Sequence, residues 1–267
     1  MGPARGAVAR LAEQLSKLSD IVVVTGAGVS QESGVPTFRG EDGLWKQYRA
    51  EDLATRRAFE ADPALVWSWY DYRRQLVAEA EPNDGHRAIV ELERSFESFS
   101  LITQNTDGLH ERAGSNPPIE LHGNIWRARC TSERKVVPLT DNPLPEIPPK
   151  CRKCGALLRP DVVWYGEPLP VKAYERSHHL AARCDAMLVV GTSAIVHPAA
   201  SLPLVAKHGG AMVVEINTAF TPISALVDAT LLGRAGEILP GLSSRIAAIR
   251  CEDGSPSPKG AGKTASA

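Results

Sequence analysis

The sequence predicts an α/β fold, a doubly wound parallel sheet of Rossmann-like form, with a second, smaller lobe made of a helical insertion and a zinc-ribbon-like module. Three observations predict it. Short, nearly continuous apolar runs at residues 21–24, 99–103, 187–190 and 212–216 read as strands covered on both faces, as the strands of a parallel sheet are. Helical patterns lie between several of these runs, and such alternation predicts an open parallel sheet that takes its ligands at the carboxyl ends of the strands. Two stretches, at about 51–80 and 125–159, break the alternation and supply the smaller lobe.

In chain order, Val8, Leu11, Ala12, Leu15 and Leu18 recur at helical spacing and predict an amphipathic helix feeding the first strand. That strand is β-branched through Ile21, Val22, Val23 and Val24 and ends in Thr25 and Gly26. Residues 51–80 read as helices, with Asp62 as cap and Pro63 as first-turn residue of the second. Residues 125–159 shift toward Pro, Cys, Arg and Lys with poor periodicity, the composition of a small module held by metal or loop packing. Residues 252–267 hold no apolar side chain larger than Ala and cannot offset their ordering entropy by burial, so a disordered tail is expected there. The organisation expected is one unit over 1–251, with a large lobe at about 7–45, 83–124 and 160–251 and a small lobe at about 46–82 and 125–159.

A formal net charge of -1 and 43% hydrophobic residues in 267 describe an ordinary globular chain, with no basic excess to draw it to nucleic acid or acidic lipid. No apolar run approaches the ~20 residues of a membrane span, and the first residues lack the pattern of a secretory signal, so a cytoplasmic location is expected. Cysteine usage agrees. Of the 5 cysteines, Cys130, Cys151 and Cys154 gather in one segment, which suits a metal site better than a disulfide framework.

Gly26, Ala27 and Gly28 directly follow the first strand, where glycine lets backbone N–H groups approach a pyrophosphate closely. Gln31 stands where the third glycine of the dehydrogenase fingerprint would be, so the loop is similar to that fingerprint without completing it, and a tight turn is the alternative. Further along come Gly34, Val35, Pro36, Thr37, Phe38, Arg39 and Gly40; Gln104, Asn105, Thr106 and Asp107 just after the second strand; and Leu121, His122 and Gly123. With these ordered motifs the chain resembles the sirtuins, the NAD-dependent protein deacylases. The resemblance extends to Val163, Trp164, Tyr165, Gly166 and Glu167, to Gly191, Thr192 and Ser193, and to Ile216, Asn217 and Thr218, and it covers residues from about 20 to 242.

The resemblance implies NAD as co-substrate and acylated protein lysines as partners. Breaking the nicotinamide–ribose bond needs stabilisation of a carbocation-like C1′ and a base for later attack by a ribose hydroxyl. His122 is the candidate base, because a neutral imidazole of ordinary pKa near ~6.5 accepts a proton at working pH where a carboxylate would be too weak. By resemblance, Asn105 and Asp107 orient ribose and nicotinamide, Phe38 shields C1′, Arg39 orders the loop at about 34–45, and Gln104 touches the ribose. Gly191, Thr192 and Ser193 are implied in holding phosphate and adenosine, Asn217 the adenine ribose and Ala235 the adenine. The segment of Val163, Trp164, Tyr165 and Gly166 is implied to pair with the substrate backbone as an added strand. Tyr165 departs from the family's more usual Phe.

Tyr70 and Arg73 fall three residues apart in the helical insertion and so share one helix face. In the succinyl- and malonyl-preferring branch of the family a Tyr and an Arg at this spacing bind the acyl carboxylate. The fork of an arginine suits that anion, with charge-assisted bonds of ~1.5–3 kcal/mol. The resemblance therefore implies desuccinylase and demalonylase activity, with deacetylation possible. The metal pattern is incomplete. Cys151 and Cys154 form an intact Cys-x-x-Cys pair, but Cys130 is followed three residues later by Glu133. Either Glu133 supplies a carboxylate as fourth ligand to a structural Zn2+, or the module persists by packing alone. Cys184 and Cys251 read as ordinary thiols. Two other readings stand beside the deacylase, a nicotinamide-dependent dehydrogenase and a non-catalytic NAD-sensing module.

Overall fold

The structure is a computed structural model that describes residues 3–36 and 50–253. Helix α1 (Pro3–Leu15) lays its apolar side on the sheet and leads into β1 (Asp20–Thr25). The helix stops short of Leu18, which was expected within it. Leu18 instead closes a turn, its N–H bonding to the Leu15 carbonyl at 3.0 Å, and its side chain still packs on the core. After the short α2 (Ala27–Gln31), the insertion is built from α3 (Ala50–Leu53), α4 (Arg56–Ala61) and α5 (Pro63–Glu79). Asp62 caps α5 as expected, its carboxylate accepting from Leu65 N–H at 2.9 Å, with Pro63 in the first turn.

The chain continues through α6 (Asp84–Ser95), β2 (Ser98–Thr103), α7 (Leu109–Ala113) and β3 (Ile119–Glu120). It then leaves the large sheet for β4 (Gly123–Cys130), β5 (Val136–Pro138) and β6 (Leu158–Val162). It returns with α8 (Val171–Ala181), β7 (Ala186–Val190), a 3₁₀ turn at Ala199–Ser201, α9 (Leu202–His208), β8 (Met212–Asn217), β9 (Ala229–Leu232) and α10 (Ala235–Glu252). Glu252, the first residue of the expected disordered tail, is instead the last of α10, with Asp253 as its cap, and residues 254–267 lie outside the described residues, as do Phe38 and Arg39.

The large sheet is parallel throughout, in the order β3-β2-β1-β7-β8-β9. Alternation along β1 explains its two cores. Ile21 and Val23 pack with α1, α6 and α10 on one face, while Val22 and Val24 pack with α9 and the end of α8 on the other. The strand order reverses at β1, which has β2 on one side and β7 on the other. Crossovers there diverge and open a crevice at the carboxyl ends of the strands.

Residues 125–159, read from the sequence as irregular, contain most of a three-stranded antiparallel sheet in the order β5-β4-β6. Its pattern was illegible because β4 carries a register shift between Asn124 and Ala128 and β5 is only 3 residues long. This small sheet and helices α3–α5 share one apolar core around Phe59, Trp67, Trp69, Leu158 and Trp164. Among the described residues, no helix is long and apolar enough to cross a membrane.

Candidate active site

Loops from the carboxyl ends of β1, β2 and β7 meet β6 and α5 around a cavity of about 390 Å³. It brings together Gly26, Ala27 and Gly28 with Gln104, Asn105 and Asp107. Across from these stand His122, the segment of Val163, Trp164, Tyr165 and Gly166, the loop of Gly191, Thr192 and Ser193, and Tyr70 with Arg73. These residues span more than 160 positions of sequence, and the strand order is what gathers them.

The glycines have a packing duty. A Cβ on Gly28 would lie 2.8 Å from the Gly191 backbone, and one on Gly26 would lie 2.7 Å from the Thr192 Cβ. The β1 and β7 loops can approach this closely only without side chains between them. Both glycine N–H groups are spent within the protein, Gly26 on the Val190 carbonyl at 3.0 Å and Gly28 on the Gly191 carbonyl at 2.8 Å. Helix α2 runs only to Gln31, which is exposed, so no third glycine is needed for close helix–strand packing there.

His122 has a defined tautomer. Its Nδ1 lies 2.9 Å from the Gln104 carbonyl, which can only accept, so Nδ1 carries the hydrogen and Nε2 keeps its lone pair. Burial holds the imidazole below the ordinary histidine value, and the bond to Gln104 opposes that only in part. The ring is therefore neutral at neutral pH.

Asp107 is tied into a buried network that the sequence did not reveal. Ser30 donates to Asp107 Oδ2 at 2.8 Å and accepts from Asn105 Nδ2 at 3.1 Å. The Asp107 Oδ1 accepts from Leu109 N–H at 2.9 Å. Burial lifts the Asp107 carboxyl above the ordinary range, against the pull of these bonds and of Arg73. Ser30 sits between Gly28 and Gln31, and the only signal for it was a small hydroxyl residue in a loop otherwise read for its glycines. Behind the network lie two buried histidines, His86 and His110, with ring centroids 4.9 Å apart. Thr25 gives its hydroxyl hydrogen to Thr103, so at 2.9 Å it accepts from His110 Nε2, and burial pushes His110 down to about 3 and His86 to about 4.

Tyr70 is 1% exposed and accepts a hydrogen bond from the Trp164 indole N–H at 3.0 Å, which leaves its own hydrogen to donate. Burial pushes its phenol pKa upward, so it stays protonated. Arg73 stands over the Trp69 ring at 5.3 Å. Burial lowers its pKa, opposed by Tyr70 and Asp107. Trp164 is fixed in turn by Arg159, whose guanidinium lies 3.5 Å over its ring and forks onto Glu167 at 2.6 and 2.9 Å. The N–H groups of Val163, Trp164 and Tyr165 bond to the His122 carbonyl, the Glu167 carboxylate and the Ala54 carbonyl.

Asn217 and Ala235 stand outside the cavity lining. Asn217 donates to the Thr192 carbonyl at 2.8 Å, and Ala235 is buried at the start of α10 in the core beside α6. Cys130, Cys151 and Cys154 form a separate cluster, their sulfurs within 4.8 Å of one another. Three convergent thiols at that spacing fit three corners of a tetrahedral zinc site of structural type. Glu133 is not in the cluster. Its carboxylate pairs with Lys153 at 2.9 Å, while its backbone N–H donates to Cys130 Sγ at 3.4 Å. All the cysteines are free thiols, and burial pushes Cys184 up to about 12, an inert group.

Residues 26–198 match the model of the Sir2 family. The chain is 56% identical to an NAD-dependent protein deacylase of Aquifex aeolicus over 78% of its length and 87% of that protein. It is 54% identical to NAD-dependent protein deacylase 2 of Pyrobaculum aerophilum over 88% of its length and 94% of that protein. A solved complex of a Sir2 homologue with NAD is similar at a TM-score of 0.86 and 47% identity, covering 90% of this chain and 94% of that one. A Sir2 structure with a deacetylated p53 peptide and 3′-O-acetyl-ADP-ribose is similar at 0.78 and 30%, covering 88% and 96%.

Proposed function

The chain belongs to the Sir2 family and is an NAD-dependent protein deacylase, and from that premise we propose that it prefers succinyl- and malonyl-lysine to acetyl-lysine. The observation that carries the preference is the pairing of Tyr70 and Arg73 on one face of α5, both lining the cavity that His122 also lines. A phenol that still has its hydrogen to give and a buried guanidinium offer an anion two kinds of donor. An acetyl group has no anion to offer them.

The reaction consumes acyl-lysine, NAD and water and yields lysine, nicotinamide and O-acyl-ADP-ribose. Asn105 and Asp107, braced by Ser30, hold the nicotinamide side of NAD, and Gln104 the ribose. The amide oxygen of the acyl-lysine attacks C1′ as the nicotinamide bond breaks. Nε2 of His122 then accepts the proton of a ribose hydroxyl as its oxygen attacks the acyl carbon. The bond from that carbon to the lysine nitrogen breaks with return of a proton to the amine, and water adds to the carbon, so that C1′ regains a hydroxyl and the acyl group stays on the ribose. Thr192 and Ser193 hold phosphate and adenosine, and Asn217, bonded to the Thr192 carbonyl, steadies that loop. Phe38, Arg39 and Ala235 are assigned their family roles by resemblance alone.

The substrate backbone docks beside the segment of Val163, Trp164, Tyr165 and Gly166. Since the first three N–H groups are engaged, the peptide is held chiefly by donating its own N–H groups to carbonyls there. We assign acylated protein lysines as partners, without nucleic acid or membrane, in the cytoplasm, a setting with which free thiols agree.

The test is Arg73→Met assayed with NAD on succinyl and acetyl versions of one peptide by mass spectrometry. Loss of ~1.5–3 kcal/mol of charge-assisted bonding lowers the succinyl-to-acetyl ratio by about tenfold to a hundredfold. An unchanged ratio removes the acyl assignment and leaves the deacylase activity standing.

A further inference from the structure

Helix α5 presents two neighbouring stripes. Tyr70, Arg73 and Val77 face the cavity. Trp67, Asp71 and Arg74 face the small sheet and its loops, and each bonds to backbone there. The Trp67 indole N–H donates to the Leu158 carbonyl at 2.7 Å. The Asp71 carboxylate accepts from Leu144 N–H at 3.0 Å and from Gln75 Nε2 at 3.0 Å. Arg74 donates to the carbonyls of Asp141 at 2.6 Å and Leu139 at 3.3 Å, pairs with Asp71 at 3.2 Å, and lies over the Trp126 ring at 5.1 Å.

This buried pair is a poor stabiliser. The side chains of Arg74 and Asp71 are 0% and 6% exposed, so both charges have been taken out of water. The Nε of Arg74 has no hydrogen-bond partner among the described residues. Desolvation of two such charges offsets most of their attraction, and apolar residues of equal volume would fill the space as well or better. What apolar residues would not supply is direction. Three bonds to one loop, at Leu139, Asp141 and Leu144, fix both the rotation and the height of α5.

We propose that Asp71 and Arg74 are positioning residues for the acyl-carboxylate site. They pin α5 to residues 139–144 so that Tyr70 and Arg73, each one position earlier on the helix, meet the acyl terminus in register. The proposal rests on the reading of Tyr70 and Arg73 given above. A bidentate bond to a carboxylate tolerates little displacement, whereas an acetyl group ends short of the pair and is indifferent to a small rotation of α5.

The test compares Asp71→Asn with Arg73→Met and the unaltered enzyme on matched succinyl and acetyl peptides. Asp71→Asn raises the KM for the succinyl peptide about tenfold, with the acetyl kcat/KM and the KM for NAD held within about twofold, as expected of a site displaced rather than dismantled. Where Asp71→Asn does not give folded protein, the double variant Asp71→Asn/Arg74→Met, which removes both buried charges together, takes its place. Equal loss on both peptides, or no change on either, overturns the positioning role. If Arg73→Met leaves the succinyl-to-acetyl ratio untouched, the acyl-site reading fails and this proposal fails with it. If Arg73→Met lowers the ratio and Asp71→Asn does not, only the positioning role fails.

Discussion

At the scale of single residues, the difference between what the sequence disclosed and what it hid follows from how each residue acts. His122, Asn105, Asp107, Tyr70 and Arg73 were singled out because they stand in motifs that resemble those of the sirtuins, and the fold brings all five to one cavity. Ser30 and Arg159 act by holding other side chains, and partners as distant as Ser30 and Asp107 leave no local pattern. The tautomer of His122 was equally hidden, since it depends on a backbone carbonyl 18 positions away. It leads to a pH prediction. A base must be unprotonated, and burial lowers the pKa of His122, so kcat/KM falls on the acid side only below the ordinary histidine value of 6.5. A pH–rate profile with an acid limb well above 6.5 contradicts this. Ser30→Ala leaves Asp107 with one donor fewer and removes the acceptor of Asn105. The expected outcome is a loss of about 1–3 kcal/mol in kcat/KM, read by nicotinamide release, with the KM for the peptide little changed.

At the scale of elements, β1, β2, β7 and β8 of the parallel sheet were readable because their apolar runs are nearly continuous, whereas the edge strands were not, β3 being only 2 residues long and β9 partly exposed. The antiparallel strands β4, β5 and β6 were not, because a bulge and partial exposure break their alternation. The glycine loop was found for its sequence, but its geometry shows a further reason for the residue. Gly28→Ala places a methyl 2.8 Å from the Gly191 backbone, so the β1 and β7 loops must part. The variant is expected to melt lower and to bind NAD more weakly, measured by thermal denaturation and calorimetric titration, and unchanged values for both contradict the close-approach argument.

The cysteine element makes its own prediction. We propose that Cys130, Cys151 and Cys154 hold a structural zinc and that Glu133 completes the shell by exchanging Lys153 for the metal. Elemental analysis is expected to find about one zinc per chain. Protein purified without chelator that contains none contradicts it.

At the scale of the whole molecule, the apolar side chains gather into three cores. One apolar core lies on each face of the parallel sheet, and a third joins α3–α5 to the small sheet. We propose that the two lobes bind NAD and acyl-lysine from opposite sides of the cleft between them. Global stability is linked to the buried histidines beneath that cleft. His86 and His110 sit at about 4 and about 3, below the ordinary 6.5, so the unfolded chain binds protons that the folded one excludes. Their contribution is fully present above pH 6.5 and is lost as the pH falls toward 4 and then 3, at up to about 1.4 kcal/mol per pH unit for each proton. Urea midpoints are expected to fall between pH 6.5 and 5, and a flat profile there rules the linkage out.

The acyl preference is tested most directly by the unaltered enzyme. With saturating NAD and one peptide sequence bearing either succinyl- or acetyl-lysine, the expected kcat/KM is at least about tenfold higher for the succinyl form, as one buried charge-assisted contact supplies. Equal values, or a higher value for acetyl-lysine, contradict the assignment of Tyr70 and Arg73.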